Sequence, residues 1–440
     1  MPEPEPTVVP GAPAPPSPAG APSTGPLGAA QKAPPFLLPG EHFAAALGFL
    51  LAGALGLVLA APELAAGAYL APRVTGITHL FTLGWITTSI MGALYQFVPV
   101  ALGEPIRSVR LGHVTFALYA PGLVVFIGGL VAGHPAVMLS GAALFGTGLL
   151  LFAGNLAVTL GRATRRDVTW WALLWADVFL VVTVLLGSAL AGNLRWGYLG
   201  GGRLNALGTH LHVALAGWVL LVMVGVAHRL LPMFLLSHGA SERWAKAAVA
   251  LIASGAAVLA VLHHAPPLIS RWLPGALIAA GLASFLMQAR QFYAHRYRRD
   301  LDPGMRLAAG GLLLLAIGLG LAGPVLVAAG GARLATAYVL VVILGISVFV
   351  AAHYYKIVPF LVWFHRYGPL AGRRPVPRVA ELYAARPAFA AGALLMLGAL
   401  VLGGAVVLGS ATGARAGALL FLCGAAIEAL QMLVLSRTRP

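Results

Sequence analysis

Apolar runs of 18 residues or more recur along almost the whole of this 440-residue chain, and they restrict its fold more than any other feature. In lipid every backbone N–H and C=O must find its partner within the protein, so a segment of that length and composition crosses as a helix. Twelve spans are read, at about 43–62, 76–101, 111–132, 135–160, 168–191, 208–232, 245–264, 272–293, 305–328, 333–359, 387–409 and 414–436. Only 9% of the residues are charged, where a soluble domain carries roughly 25%. The expected fold class is therefore all-α: a polytopic membrane protein with no strands.

Residues 1–38 differ from the rest. They are crowded with Pro, Ala and Gly and hold too few large apolar side chains to offset the entropy of ordering, so a disordered tail is expected ahead of a membrane domain at 39–440. No basic start, apolar centre and small-residue cleavage site mark a secretory signal there. The net charge of +16 is distributed unevenly. With both termini placed in the cytoplasm, 22 of the 28 Lys and Arg fall on that side, which orients the chain in the cell's inner membrane by the positive-inside rule. That asymmetry explains the basicity without nucleic acid; acidic lipid headgroups are the expected partners. The single cysteine, Cys423, lies in the last span and leaves no disulfide framework or thiolate metal site.

One helix design occurs twice. Residues 78–99 read THLFTLGWITTSIMGALYQFVP, and 133 positions later His212, Gly217-Trp218, Gly225 and Pro232 repeat His79, Gly84-Trp85, Gly92 and Pro99. Span 10 matches more weakly at its end, Tyr355-Lys356-Ile357-Val358-Pro359. Spans 2, 6 and 10 are four apart, so the twelve helices read as three pseudo-repeated four-helix units. From His79 to Pro99 is 20 residues, about 30 Å of helix and one hydrocarbon thickness. His79 and His212 are thus expected at the outer boundary. Tyr95, His228 and Tyr355 belong at the inner one, with Arg229 and Lys356 snorkelling to water and each proline ending its helix or marking a loop turn.

Five imidazoles gather at the outer level: His79, His210, His212 and the pair His263-His264 after span 7. Two readings stand, interfacial side chains that reach water or ligands for heme iron or copper. Residues i and i+2 of a helix point about 200° apart, so His210 and His212 cannot serve one site equally. Gly84 and Gly217, each five residues after its histidine, either leave room for a porphyrin edge or let helices pack closely. Asp177, deep in span 5, is either a proton-path residue or a structural hydrogen-bond donor or acceptor toward Asn155 or Thr159. Glu428 of span 12 invites the same pair of readings. The basic, aromatic loop after span 10 is expected on the inner leaflet, or as a docking surface for another membrane subunit.

Twelve helices in groups of four, with histidines on spans 2 and 6 and a His pair after span 7, resemble subunit I of the heme-copper oxidases. The resemblance implies that His79 matches the low-spin heme ligand of that family, and that His212, His263 and His264 match its copper ligands. Two parts of the pattern are missing. Span 10 has no histidine in its outer half, and Ala216 stands where the family's cross-linked Tyr would be. The chain is therefore more similar to a divergent branch, in character like the NnrS-type membrane proteins associated with heme, copper and nitric oxide stress. What this implies is a heme- or copper-binding membrane protein without the oxygen-reducing centre. Its roles would be electron transfer, as a heme-dependent oxidoreductase, or the handling of a small redox or gas ligand such as nitric oxide. The composition leaves two other readings open: a proton- or ion-coupled solute transporter built on Asp177, and a structural membrane subunit.

Overall fold

The computed structural model describes residues 33–262, 266, 268–297, 299–327 and 331–438. Among the described residues there are no strands, only an isolated bridge between Ser237 and Arg296. Twelve helices are long and apolar enough to cross a membrane. They are α1 (Leu37–Leu59), α2 (Pro72–Leu102), α3 (Val109–Val131), α4 (Pro135–Arg162), α5 (Val168–Trp196), α6 (Gly200–Leu235), α7 (Arg243–Val261), α8 (Ile269–Ala294), α9 (Pro303–Val327), α10 (Ala332–Leu370), α11 (Ala385–Leu408) and α12 (Ala411–Arg437). Their number is even, so the first and last helices open and close at one face of the bundle, the terminal face. His79 and His212 lie toward the opposite face.

Three helices form the interior. In their most apolar 18-residue stretches α2, α6 and α10 have 83%, 72% and 61% of residues buried, whereas the other spans have between 28% and 50%. These are the three helices that carry the matching prolines. α2 packs against α1 just as α6 packs against α5: Gly84 abuts Phe49, and Gly217 abuts Phe179.

Several boundaries differ from those read in the sequence. α1 begins at Leu37, so the last two residues of the expected tail are helical; Pro39 falls in the first turn, where its missing N–H costs no hydrogen bond. Residues 1–32 of the expected tail lie outside the described residues. Pro99, Pro232 and Pro359 do not end their helices: α2 and α6 run on to Leu102 and Leu235, and the α-helical part of α10 runs on to Val362, ahead of its π-helical and tighter turns to Leu370. Proline's fixed φ suits a helix, and so close to the end only one carbonyl bond is lost.

Arg229 and Lys356 do not simply snorkel to water. Arg229 pairs with Asp167, which also binds Arg165 at 2.8 Å and accepts from Trp170 N at the start of α5. Lys356 pairs with Asp302, which accepts from Met305 N at the start of α9. In each case a carboxylate at a helix N-terminus, where the dipole favours it, ties that helix to the end of the next inner one.

Candidate cofactor cavity

In α2 and α6 alike, the histidine is the last residue of an α-helical segment before a π-helical stretch. Pro72–His79 leads into Leu80–Thr87, and Arg203–His212 leads into Val213–Leu220. A π turn inserts a residue and frees backbone groups, and such turns concentrate at functional sites. In α2 the Leu83 carbonyl accepts from Thr88 Oγ1 at 3.0 Å and from Tyr119 Oη of α3 at 2.7 Å. The widened turn is thereby held by side chains.

Both histidines are oriented by their own helix. His79 Nδ1 donates to Thr75 O and His212 Nδ1 to Gly208 O, each at 2.8 Å. With the proton on Nδ1, Nε2 of each ring carries a free lone pair. What that lone pair faces then differs.

His79 lines a cavity of about 250 Å³ between α2 and α6, closed in by α3, α4, α5 and α10, with its ring edge-on to Phe126 at 5.2 Å. His210 lines the same cavity from α6. The ring of His210 has room there because α5 presents a glycine: a Cβ on Gly187 would lie 3.0 Å from His210 Cε1. His210 Nδ1 is buried without a hydrogen bond of good geometry, and the ring's polar neighbour is the backbone of Thr183 on α5. The walls are largely apolar and aromatic, with Phe126, Phe145 and Trp218 among them, while Arg203 at the start of α6 is the one basic side chain among the described lining residues. Thr75, Thr78 and Thr82 join His79 on its helix face. Thr78 and Thr82 return their hydroxyls to the backbone four residues back, at 3.0 and 2.8 Å.

His212 does not line the cavity. Its ring stacks on Tyr338 of α10 with centroids 6.2 Å apart, and Tyr338 Oη donates to Nε2 at 3.4 Å, the loose end of the hydrogen-bond range. Gly84 and Gly217 are likewise outside the lining. Cβ atoms there would come within 2.7 Å of Phe49 and 2.8 Å of Phe179, so these glycines serve close helix packing. His263 and His264 lie outside the described residues. Among the described residues no group of three or more His, Cys, Asp or Glu is placed to hold a metal ion.

Asp177 is buried in α5 with Oδ1 unpartnered, about one turn from the cavity residue Leu180 but not itself in the lining. Neither expected partner reaches it. Asn155 exchanges hydrogen bonds with the backbone of Ser108, and Thr159 accepts from Arg107 N, because both cap the entry to α3.

The sequence reading missed Thr75, Thr78, Thr82, Gly187 and Tyr338. For the threonines a signal existed: 75, 78, 79 and 82 share one face at helical spacing. Gly187 and Tyr338 matter only through contacts between distant helices, and nothing local announces them. Comparison with known protein families and with characterised proteins finds no match.

Proposed function

We propose that this membrane protein binds heme in the cavity between α2 and α6, where His79 and His210 are the residues that would hold its iron. One observation carries the reading: two imidazoles from different helices enter one apolar cavity, one with Nε2 free by hydrogen bonding and the other with a buried ring nitrogen that makes no hydrogen bond of good geometry. The donor set suits the group, since iron in a porphyrin needs only axial nitrogens from the protein. The walls suit it too, with aromatic side chains for the macrocycle and Arg203 for a carboxylate substituent. At about 250 Å³ the cavity falls under the roughly 300 Å³ low end of ligand pockets, so a heme bound there would need the walls to give or part of the macrocycle to lie outside.

Bound there, heme would supply one-electron transfer. The protein's part is to fix the His79 ring through Thr75, to seat His210 against Gly187 and to exclude water with aromatic walls. Copper fits less well, because the cavity offers two imidazoles and no third ligand among the described residues. The reading keeps His79 as a heme ligand, as the resemblance to heme-copper oxidase subunit I implies, and departs from it at the second ligand: the resemblance gives the span-6 histidine to copper, whereas here His210 of that span shares the cavity with His79.

Purified protein reconstituted with hemin tests it. A Soret band lost in His79→Ala and in His210→Ala but kept in His212→Ala is the expected result, and protein that stays colourless ends the proposal. A transport reading has one observation of its own, the unpartnered Asp177 carboxyl one turn from the cavity. Solute uptake into proteoliposomes abolished by Asp177→Asn would favour it.

A further inference from the structure

The end of the molecule between the cavity and the terminal face holds a second group of buried polar side chains. Glu428 of α12 is fully buried, and neither of its carboxyl oxygens has a hydrogen-bond partner. Tyr354 and Tyr355 of α10, both almost completely buried, lie within electrostatic reach of it. Tyr355 Oη is unpartnered, as are both amide atoms of Gln431, one turn beyond Glu428 toward the terminal face. The Tyr355 ring packs at 5.3 Å against Tyr383, a partly exposed residue of the loop that follows α10. In the other direction Tyr354 Oη hydrogen-bonds Ser89 Oγ of α2 at 2.8 Å. Two residues before Ser89, Thr87 Oγ1 accepts from Trp218 Nε1 at 3.2 Å, and both Thr87 and Trp218 belong to the cavity wall.

We infer that Glu428 is a proton-binding site, exchanging with the terminal face past Gln431, Tyr355 and Tyr383 and joined inward by Tyr354 and Ser89 to the wall of the cavity. A carboxyl buried in a membrane bundle with no partner is costly and marks proton relays where it occurs. Buried polar atoms without a protein partner are commonly satisfied by internal water, and water between these groups would give protons a route. Loading converts carboxylate and hydronium into carboxylic acid and water, and release reverses it.

The surroundings leave the carboxyl without a cation. α1 presents Phe43 to Tyr354, while its own Glu41 and His42 are engaged with His113 and with Leu38 O. α11 carries no ionisable residue after Arg386. On α10, Lys356 is taken by Asp302, and His353 donates to Phe349 O. Beside α1, Glu63 of the short helix Ala61–Ala65 pairs with Arg73 at the opposite face. Arg366 binds the carbonyls of Ser436 and Thr438 at the end of α12. Protonation is thus the one neutralising event these neighbours leave to Glu428. This inference goes beyond heme binding and does not require it.

Infrared difference spectra of the full-length purified protein, recorded between acid and alkaline pH, test it. The expected result is a carboxylic C=O band whose intensity changes with pH, which is lost in Glu428→Gln, moved in frequency by Glu428→Asp and kept in Asp177→Asn. Tyr354→Phe should shift its midpoint without removing it. A band of constant intensity at every pH, or one unchanged in Glu428→Gln, overturns the inference. Should Glu428→Gln fail to fold, Glu428→Asp still decides, because a band belonging to another group would not move. The measurement needs no heme, so colourless protein that shows the band would end the heme reading and leave this one standing.

Discussion

The contacts that α6 makes on its two sides use related parts to different effect. Toward α2, His210 and His79 enter one open cavity; toward α10, His212 meets Tyr338 and the rings stack. Counted back from the matching prolines, Tyr338 stands where His210 does, once the residue that the π turn adds to α6 is allowed for. Each contact therefore joins a histidine fixed through Nδ1 to a residue from the next inner helix. Where that residue is histidine and α5 supplies Gly187, space remains; where it is tyrosine, the ring fills it. The comparison teaches that a repeated backbone design fixes how an imidazole is held, while the facing residue decides whether its free nitrogen is available.

The largest effect expected from this difference is on pigment. His79→Ala and His210→Ala should each abolish heme retention, whereas His212→Ala should leave the absorption spectrum unchanged. A His212→Ala protein that is colourless would erase the distinction between the two contacts. Next comes Gly187→Val. Its branched side chain would collide with His210 Cε1, already 3.0 Å from the position of a Cβ, and displace the ligand without removing it. Losing such positioning lowers metal affinity roughly 10- to 100-fold, so hemin titration should show that shift while circular dichroism stays that of the parent.

The fold was legible because its cause is local. Eighteen apolar residues in a row need a helix in lipid wherever they sit, so the twelve spans followed from the sequence alone. The prolines misled, because Pro99, Pro232 and Pro359 resemble helix stops yet fall in a last turn that tolerates them. Of the site, the level of His79, His210 and His212 and the incompatibility of His210 with His212 were readable from helix geometry. Which of the two faces the cavity was not, for that depends on Gly187 of α5 and Tyr338 of α10, far away in the chain. Gly84 and Gly217 show the same limit. Their spacing from the histidines suggested room for a ring, but only the positions of Phe49 and Phe179 reveal what occupies that room.

Those glycines give a sharper version of the comparison, since here the two helices behave alike. Gly84→Ala and Gly217→Ala each force a methyl group into a phenylalanine at under 3 Å. Overpacking of this kind costs about 1–3 kcal/mol, and the two variants should lose similar amounts of stability in denaturant unfolding followed by tryptophan fluorescence. A large inequality would mean that α1 and α5 do not support their inner helices in the same way.

The smallest effect expected is that of Tyr338→Phe. It removes one hydroxyl whose hydrogen bond to His212 Nε2 is long, at 3.4 Å, and keeps the ring that stacks on the imidazole. A net hydrogen bond is worth about 0.5–1.5 kcal/mol at good geometry, so the loss should not exceed about 0.5 kcal/mol. His212 Nε2 is then left unpartnered, facing a phenyl ring outside the cavity lining, and heme binding should not change. If Tyr338→Phe instead alters the Soret band, the stacked contact communicates with the cavity across α6, and the two sides of that helix act as one site.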